Sequence, residues 1–279
     1  MRLTLPLGGL AAAALTVAMS GCGSSSIDPI AQAANATLAS DGTTLTMNAR
    51  MSGAGLPGTL TMKGRGAINL RDEQGSFALT VAGANKVEPM QEHLSGQTVY
   101  VSSPALVGKL PGGKRYLEID YGQITQGLLG LNVSSLTSGE SNPADILRFL
   151  KAGGGGVSND GTAPIGGVPT THYHGEVEYS ALVSQVPHAQ QAQARAAVSK
   201  LESVEGVDGF PVDVWIDHRH LVRQLTMNLD VKPGGQPVAM RLTMDMTYGP
   251  VAFGTAPPAS ESYNATSQVL SAAQSGASG

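Results

Sequence analysis

Between Phe210 and Tyr248 the chain alternates apolar and polar residues through three successive runs. Val212, Val214 and Ile216 share one side, with Asp213, Trp215 and Asp217 on the other. Leu221, Leu225, Met227, Leu229 and Val231 follow a polar turn. Lys232-Pro233-Gly234-Gly235 makes a second turn, and Val238, Met240, Leu242, Met244, Met246 and Tyr248 complete the pattern. Period two with turn residues between the runs is the pattern of an antiparallel meander with one buried face and one wet face. Such a face has to be covered, so the rest of the chain must supply the cover.

Leu45, Met47, Ala49 and Met51 repeat the alternation near the amino end. Leu60, Met62, Gly64, Gly66, Ile68 and Leu70 follow, then Phe77, Leu79 and Val81. Val99-Tyr100-Val101, Tyr116 to Asp120 and Thr170 to Glu178 read as further strands. Helices are expected from Asp28-Pro29, where Asp caps and Pro opens the first turn, from Asn142-Pro143, and over Ser180 to Leu201 with a break at Pro187. Glu88 to Leu94 fits either strand or helix, and Gly122 to Gly139 reads as loop with a short helix. Turns rather than helical crossovers join the strands, so the fold class is α+β: about nine strands in one curved antiparallel sheet, a half-barrel wrapped around about three helices with a hydrophobic cavity between. From Gly254 the chain turns to Pro, Ser, Ala and Gly, and the tail 254–279 is expected to be disordered.

Composition narrows the function. A net charge of −4, with Lys and Arg thinly spread, argues against a nucleic-acid partner. Ten methionines against 4 % aromatics give an adaptable apolar surface where they fall on the buried faces. The expected cavity lining is therefore Met47, Met51, Leu225, Met227, Leu229, Met240, Leu242, Met244 and Met246.

Met1-Arg2 followed by the apolar run Leu3 to Met19 reads as an export leader, too short and too weakly flanked for a lasting membrane span. Cys22 is the only cysteine, so no intrachain disulfide forms. Met19-Ser20-Gly21-Cys22 is similar to a bacterial lipobox, which implies cleavage before Cys22 and acylation there. Residues 1–21 are then the signal peptide and 22–27 a flexible tether, with Gly23-Ser24-Ser25-Ser26 as its core.

The lipobox, Val99-Tyr100-Val101, Lys109-Leu110-Pro111-Gly112-Gly113-Lys114-Arg115-Tyr116, Asn142-Pro143-Ala144-Asp145-Ile146-Leu147, Thr171-His172-Tyr173-His174-Gly175 and Val212-Asp213-Val214-Trp215-Ile216-Asp217 together resemble the LppX/LprAFG lipoproteins of actinobacteria. The resemblance runs from about Asp28 to Tyr248. It implies a single LolA-like lipid-binding domain over 28–253. It also implies an acylated lipid or other hydrophobic ligand as partner, a membrane reached through the anchor at the outer face, and an envelope transport partner. Tyr116 departs from the Trp common in the family, and His218-Arg219-His220 from its usual tight turn. A lipoprotein of the same fold acting structurally or as a sensor, without a lipid, is the other reading.

His172, His174 and Glu176 alternate along one strand, and His218 and His220 lie in the turn after Asp217. The pair His172/His174 has no third ligand of fixed position, and the expectation is no metal. No Gly-x-Ser-x-Gly elbow, phosphate loop or acid tied to a histidine is found, so no catalytic residue, cofactor or enzyme activity is expected. Asp213, Asp217, Asp230 and Asp245 read as solubilising charges on wet faces. One prediction follows from the leader: Cys22→Ser releases the protein from the membrane fraction or leaves it unprocessed, as a fractionation blot reads directly. Processed, membrane-bound Cys22→Ser protein would show that another element anchors it.

Overall fold

The computed structural model describes residues 29–53, 56, 58–83, 86–129, 146–147, 150, 156–185, 188–231 and 236–276. The leader, Cys22, the tether, the Asn142–Asp145 cap, Pro187 and the turn 232–235 lie outside the described residues.

Twelve strands form one open sheet in the order β12-β6-β5-β4-β3-β2-β1-β11-β10-β9-β8-β7. They are β1 Thr43–Gly53, β2 Leu60–Asn69, β3 Gln74–Gly83, β4 Lys86–Ser95, β5 Thr98–Ser102, β6 Tyr116–Asp120, β7 Ser158–Ile165, β8 Val168–Glu178, β9 Gly209–Asp217, β10 Val222–Val231, β11 Val238–Tyr248 and β12 Ser262–Asn264. Neighbours are antiparallel except β12 on β6. Helices that accompany the sheet among the described residues include α1 Pro29–Leu38, α2 Tyr121–Leu129, α3 Tyr179–Gln185, α4 Gln191–Glu205 and α5 Thr266–Gly276. The expected meander is β9-β10-β11, and β1 closes against β11 with Leu45 opposite Met246 and Met47 opposite Met244. The amino- and carboxyl-terminal halves of the domain therefore meet at the middle of the sheet.

Three expectations are corrected. The ambiguous stretch 88–94 is β4, whose residues pair with β3 along its whole length. Ser158–Ile165, not foreseen, is an edge strand paired with β8 and interrupted by a register shift between Asn159 and Thr162. Gly161 sits in that shift with φ +100, a left-handed backbone that favours glycine. The tail is ordered through residue 276. Its composition offers little apolar area, but β12 adds parallel to β6 and Ala265 N–H donates to Glu118 O. The side-chain hydroxyl of Thr266 accepts from Asp120 N–H, and α5 packs against α2, so hydrogen bonding and docking supply what composition lacked.

The core lies on one face of the sheet. Ile30, Ala33 and Ala34 of α1 pack with Leu45, Ile68, Leu70, Phe77, Leu79, Met244 and Met246. Leu147 and Leu150 join beside β8, Val177 and Val214. Gly175 makes room for Leu150, whose nearest side-chain carbon would stand 2.7 Å from a Cβ there. On β2, a Cβ at Gly66 would collide with the Ser76 carbonyl oxygen and the Phe77 ring, so the glycine lets Phe77 lie across the strand. Gly66→Ala is therefore expected to lower stability by about 1–3 kcal/mol, read from denaturant melts. Gly249→Ala, with open space at its Cβ, is the control, expected within about 0.5 kcal/mol of the unmutated protein.

Candidate functional site

Residues paired across an antiparallel sheet share a face, so the register lays the apolar side chains in rows across the strands. One row runs Val214, Leu225, Met244, Met47, Gly64, Leu79, Met90. The next runs Val212, Met227, Leu242, Ala49, Met62, Val81. The third holds Leu229, Met240, Met51 and Leu60.

Cover falls off from row to row along β10 and β11, although Val212 and Ala49 of the second row are also buried. Leu225 and Met244 of the first row are 0 % and 2 % exposed, and Met246 beyond them 3 %. Met227, Leu242 and Met62 of the second are half-buried at the margin of the core, as is Met47. Leu229, Met240, Met51 and Leu60 are half-buried and lie outside that packed cluster. The nine side chains expected to line a cavity thus share one face but play different parts. Leu225, Met244 and Met246 are packed core; Met47, Met227 and Leu242 form its margin; Met51, Leu229 and Met240 continue outward as a partly open apolar strip.

The cause is the position of α1. Its first residue, Pro29, borders β7, β8 and β9; Thr37 reaches Tyr248 on β11; and just beyond its end Ala39 O accepts from Arg71 in the β2–β3 turn. The helix therefore crosses the sheet at the end where β1 begins and β11 finishes, and the strip lies at the other end of the same strands. Beside the start of α1 the face opens into a cleft of about 580 Å³ lined by Pro29, Thr162, Ala163, Pro164, Pro169, Thr170, Thr171, Tyr173, Ile216, Asp217, His218 and His220. That volume is within the range of small-molecule pockets. Only the histidines had been singled out in the sequence for any chemistry. The signal that would have found the rest is the pairing of Thr171 with Ile216 and of Tyr173 with Val214, which needs the β8–β9 register.

The polar groups divide between the two faces. His172 Nε2 and His174 Nδ1 stand 3.0 and 2.9 Å from the same oxygen, Asp213 Oδ1. The His172 ring stacks on Trp215, centroids 4.3 Å apart. An acid is thus tied to both histidines across the β8–β9 ladder, which sequence reading missed. Among the described residues no group of three His, Cys, Asp or Glu is placed to hold a metal ion.

Asp217 departs from its expected place on the wet face: it is 4 % exposed. Its Oδ1 accepts from the N–H groups of Arg219 and Leu221, at 2.8 and 3.0 Å, and its Oδ2 from Arg223 Nε and a terminal guanidinium nitrogen, both at 2.7 Å. Arg223 lies 5.4 Å from the centre of the Tyr248 ring. The Tyr248 hydroxyl donates to Val222 O at 2.7 Å and stands 3.5 Å from the Thr37 hydroxyl, linking α1 to this cluster. Burial pushes the Tyr248 phenol well above its usual range. Burial also works to raise the Asp217 carboxyl, but the bonds from Leu221, Arg223 and Arg219 outweigh it and hold the group below the ordinary carboxylate range.

No family model matches the chain. An uncharacterised 31.2 kDa protein from the rplA–rplJ intergenic region of Streptomyces griseus is 25 % identical over 186 residues, 63 % of this chain and 60 % of that protein. The chain therefore spans less than two thirds of the length of this curated relative. Among solved structures it is similar to LprF from Mycobacterium bovis, with 12 % identity, a TM-score of 0.44, and 82 % of this chain and 94 % of that one covered. It is also similar to the lipoprotein LppX of Mycobacterium tuberculosis, with 12 % identity, a TM-score of 0.41, and 81 % and 95 % covered. A lipoprotein-sorting protein domain from Vibrio parahaemolyticus follows at 11 % identity and a TM-score of 0.33, with 80 % and 92 % covered.

The Asp217 cluster generates a pH prediction. A carboxyl held below its unfolded value stabilises the fold above that value, and the contribution disappears as pH falls through the folded one. Asp217→Asn is expected to cost about 3 kcal/mol at neutral pH by leaving Arg223 without its counter-charge. It should also flatten the stability loss that the unmutated protein shows below about pH 4. Melts from pH 7 to pH 2.5 check both; equal acid slopes would show that Asp217 is not the group responsible.

Proposed function

We propose that this is an exported lipoprotein, tethered through acylated Cys22, that binds an acylated or otherwise hydrophobic ligand on the half-buried outer part of its apolar sheet face and carries it without catalysis. The observation that supports this reading most is the falling cover from Leu225 and Met244 to Leu242 and Met227 and on to Met240, Leu229 and Met51. A graded apolar strip on one face of a folded domain is characteristic of a binding surface. Methionine suits it because three rotatable bonds let the surface follow chains of different shape. Each methylene removed from water contributes about 0.8 kcal/mol, so a chain of ordinary acyl length is held without polar chemistry. Among the described residues no helix is long and apolar enough to cross a membrane, which accords with attachment through the leader cysteine.

The reading is tested at Leu242, which sits between Met227 and Ala49 at the inner border of the strip. Leu242→Trp fills space over the sheet and is expected to cost ~1–3 kcal/mol from crowding, leaving the fold intact by circular dichroism. Uptake of a fluorescent acyl probe should fall at least several-fold. Unchanged uptake in a folded variant would remove the strip from the ligand site. No uptake by the unmutated protein would leave the structural or sensory reading.

A further inference from the structure

The cleft beside α1 has a property that the methionine strip lacks: a basic rim. Its walls are Pro164 and Pro169 of the β7–β8 hairpin with Tyr173 and Ile216, and His218 and His220 stand at its edge. Arg219 lies exposed between the two histidines. The acid among the lining residues, Asp217, is not free to repel an anion. Its carboxylate oxygens are taken by Arg223 and by the Arg219 and Leu221 amides. The same bonds fix the turn: His220 has φ +60, a backbone rare for a residue with a Cβ, and its N–H donates to Asp217 O at 2.9 Å. A fixed turn carrying His-Arg-His at the mouth of an apolar cleft fits a ligand with a hydrocarbon body and a negative head.

We propose that the cleft takes a single-chain acidic amphiphile, its chain against Pro164, Pro169, Tyr173 and Ile216 and its anionic head on His218, Arg219 and His220. A cleft of about 580 Å³ is mid-range for ligand pockets and has room for one acyl chain. Pro29, which lines the cleft, is also where the tether enters the domain. The span from Cys22 to Pro29 reaches at most ~25 Å, so an anchored protein holds this mouth near the bilayer that supplies such molecules. The inference rests on the acyl-binding reading above and names the ligand class for one end of that face.

Calorimetry with the soluble mature chain tests it, using oleoyl-lysophosphatidylglycerol, oleoyl-lysophosphatidylcholine and oleate. The acidic lysolipid is expected to bind about fivefold tighter than the zwitterionic one, the scale of a partly exposed ion pair. Comparing it with oleate distinguishes a phosphodiester from a carboxylate head. In the triple variant His218→Gln, Arg219→Gln, His220→Asn the preference of the acidic over the zwitterionic lysolipid should vanish; Asn is chosen because it tolerates the φ of residue 220. Thr162→Trp, at an exposed position of the lining, should block both lysolipids without unfolding the protein. Equal binding of the two lysolipids, or a preference that survives the triple variant, overturns the acidic-head assignment. If Thr162→Trp leaves binding intact while Leu242→Trp abolishes it, the cleft is not the seat, and the acyl-binding reading stands. If no acyl ligand binds the unmutated protein, both fall.

Discussion

A sheet that is apolar on one face from β9 to β3 has to keep that face dry, and among the described residues helix α1, with Leu147 and Leu150 beside β8, covers only part of it. Helix α1 has ten residues, so it is about 15 Å long, roughly three strand spacings. It lies at the end of the sheet where Leu45, Met246 and Ile68 are sealed. Everything proposed about function depends on that shortfall. Where the helix ends, the side chains that continue the same rows are left half-covered, and they are methionines and leucines, not polar residues that would close the surface off.

The position of α1 is fixed by chemistry at its own end of the sheet. Thr37, Tyr248, Arg223 and Asp217 form a chain of contacts from the helix through β11 to the β9–β10 turn. A buried acid bonded by a guanidinium and two amides is geometrically demanding, so it specifies one arrangement of turn and strand. The register shift between Val222 and Gln224 lies next to it. That shift is why Leu221 and Val222 are both buried although they are adjacent, and it places Arg223 within reach of Asp217.

Period two made the sheet readable: β1, β2, β3 and the meander fall where alternation put them, and so does the apolar side of each. Less local features were not readable. β7 has little apolar residue content and owes its place to pairing with β8. The final strand and helix depend on β6, α2 and the Asp120–Thr266 bond, partners more than a hundred residues away. Asp217 keeps the parity of the wet residues Asp213 and Trp215, yet the chain turns there and folds its carboxylate inward; alternation carries no information about a strand's last residue. The residues read as a cavity lining share one face of the sheet, but they differ in how far they are buried. Which of those side chains stay open is decided by where one helix lies, and the cleft at β7–β9 needed a strand that the sequence did not announce.

Whether the half-buried apolar face holds a hydrophobic ligand is read by native mass spectrometry with organic extraction. The mature chain would be exported by a bacterial host without its anchor cysteine and purified without detergent. Acyl-bearing molecules near one per protein are expected, lost together with the fold on denaturation and reduced in the Leu242→Trp variant. A lipid-free protein that also takes up no added acyl chain would contradict it.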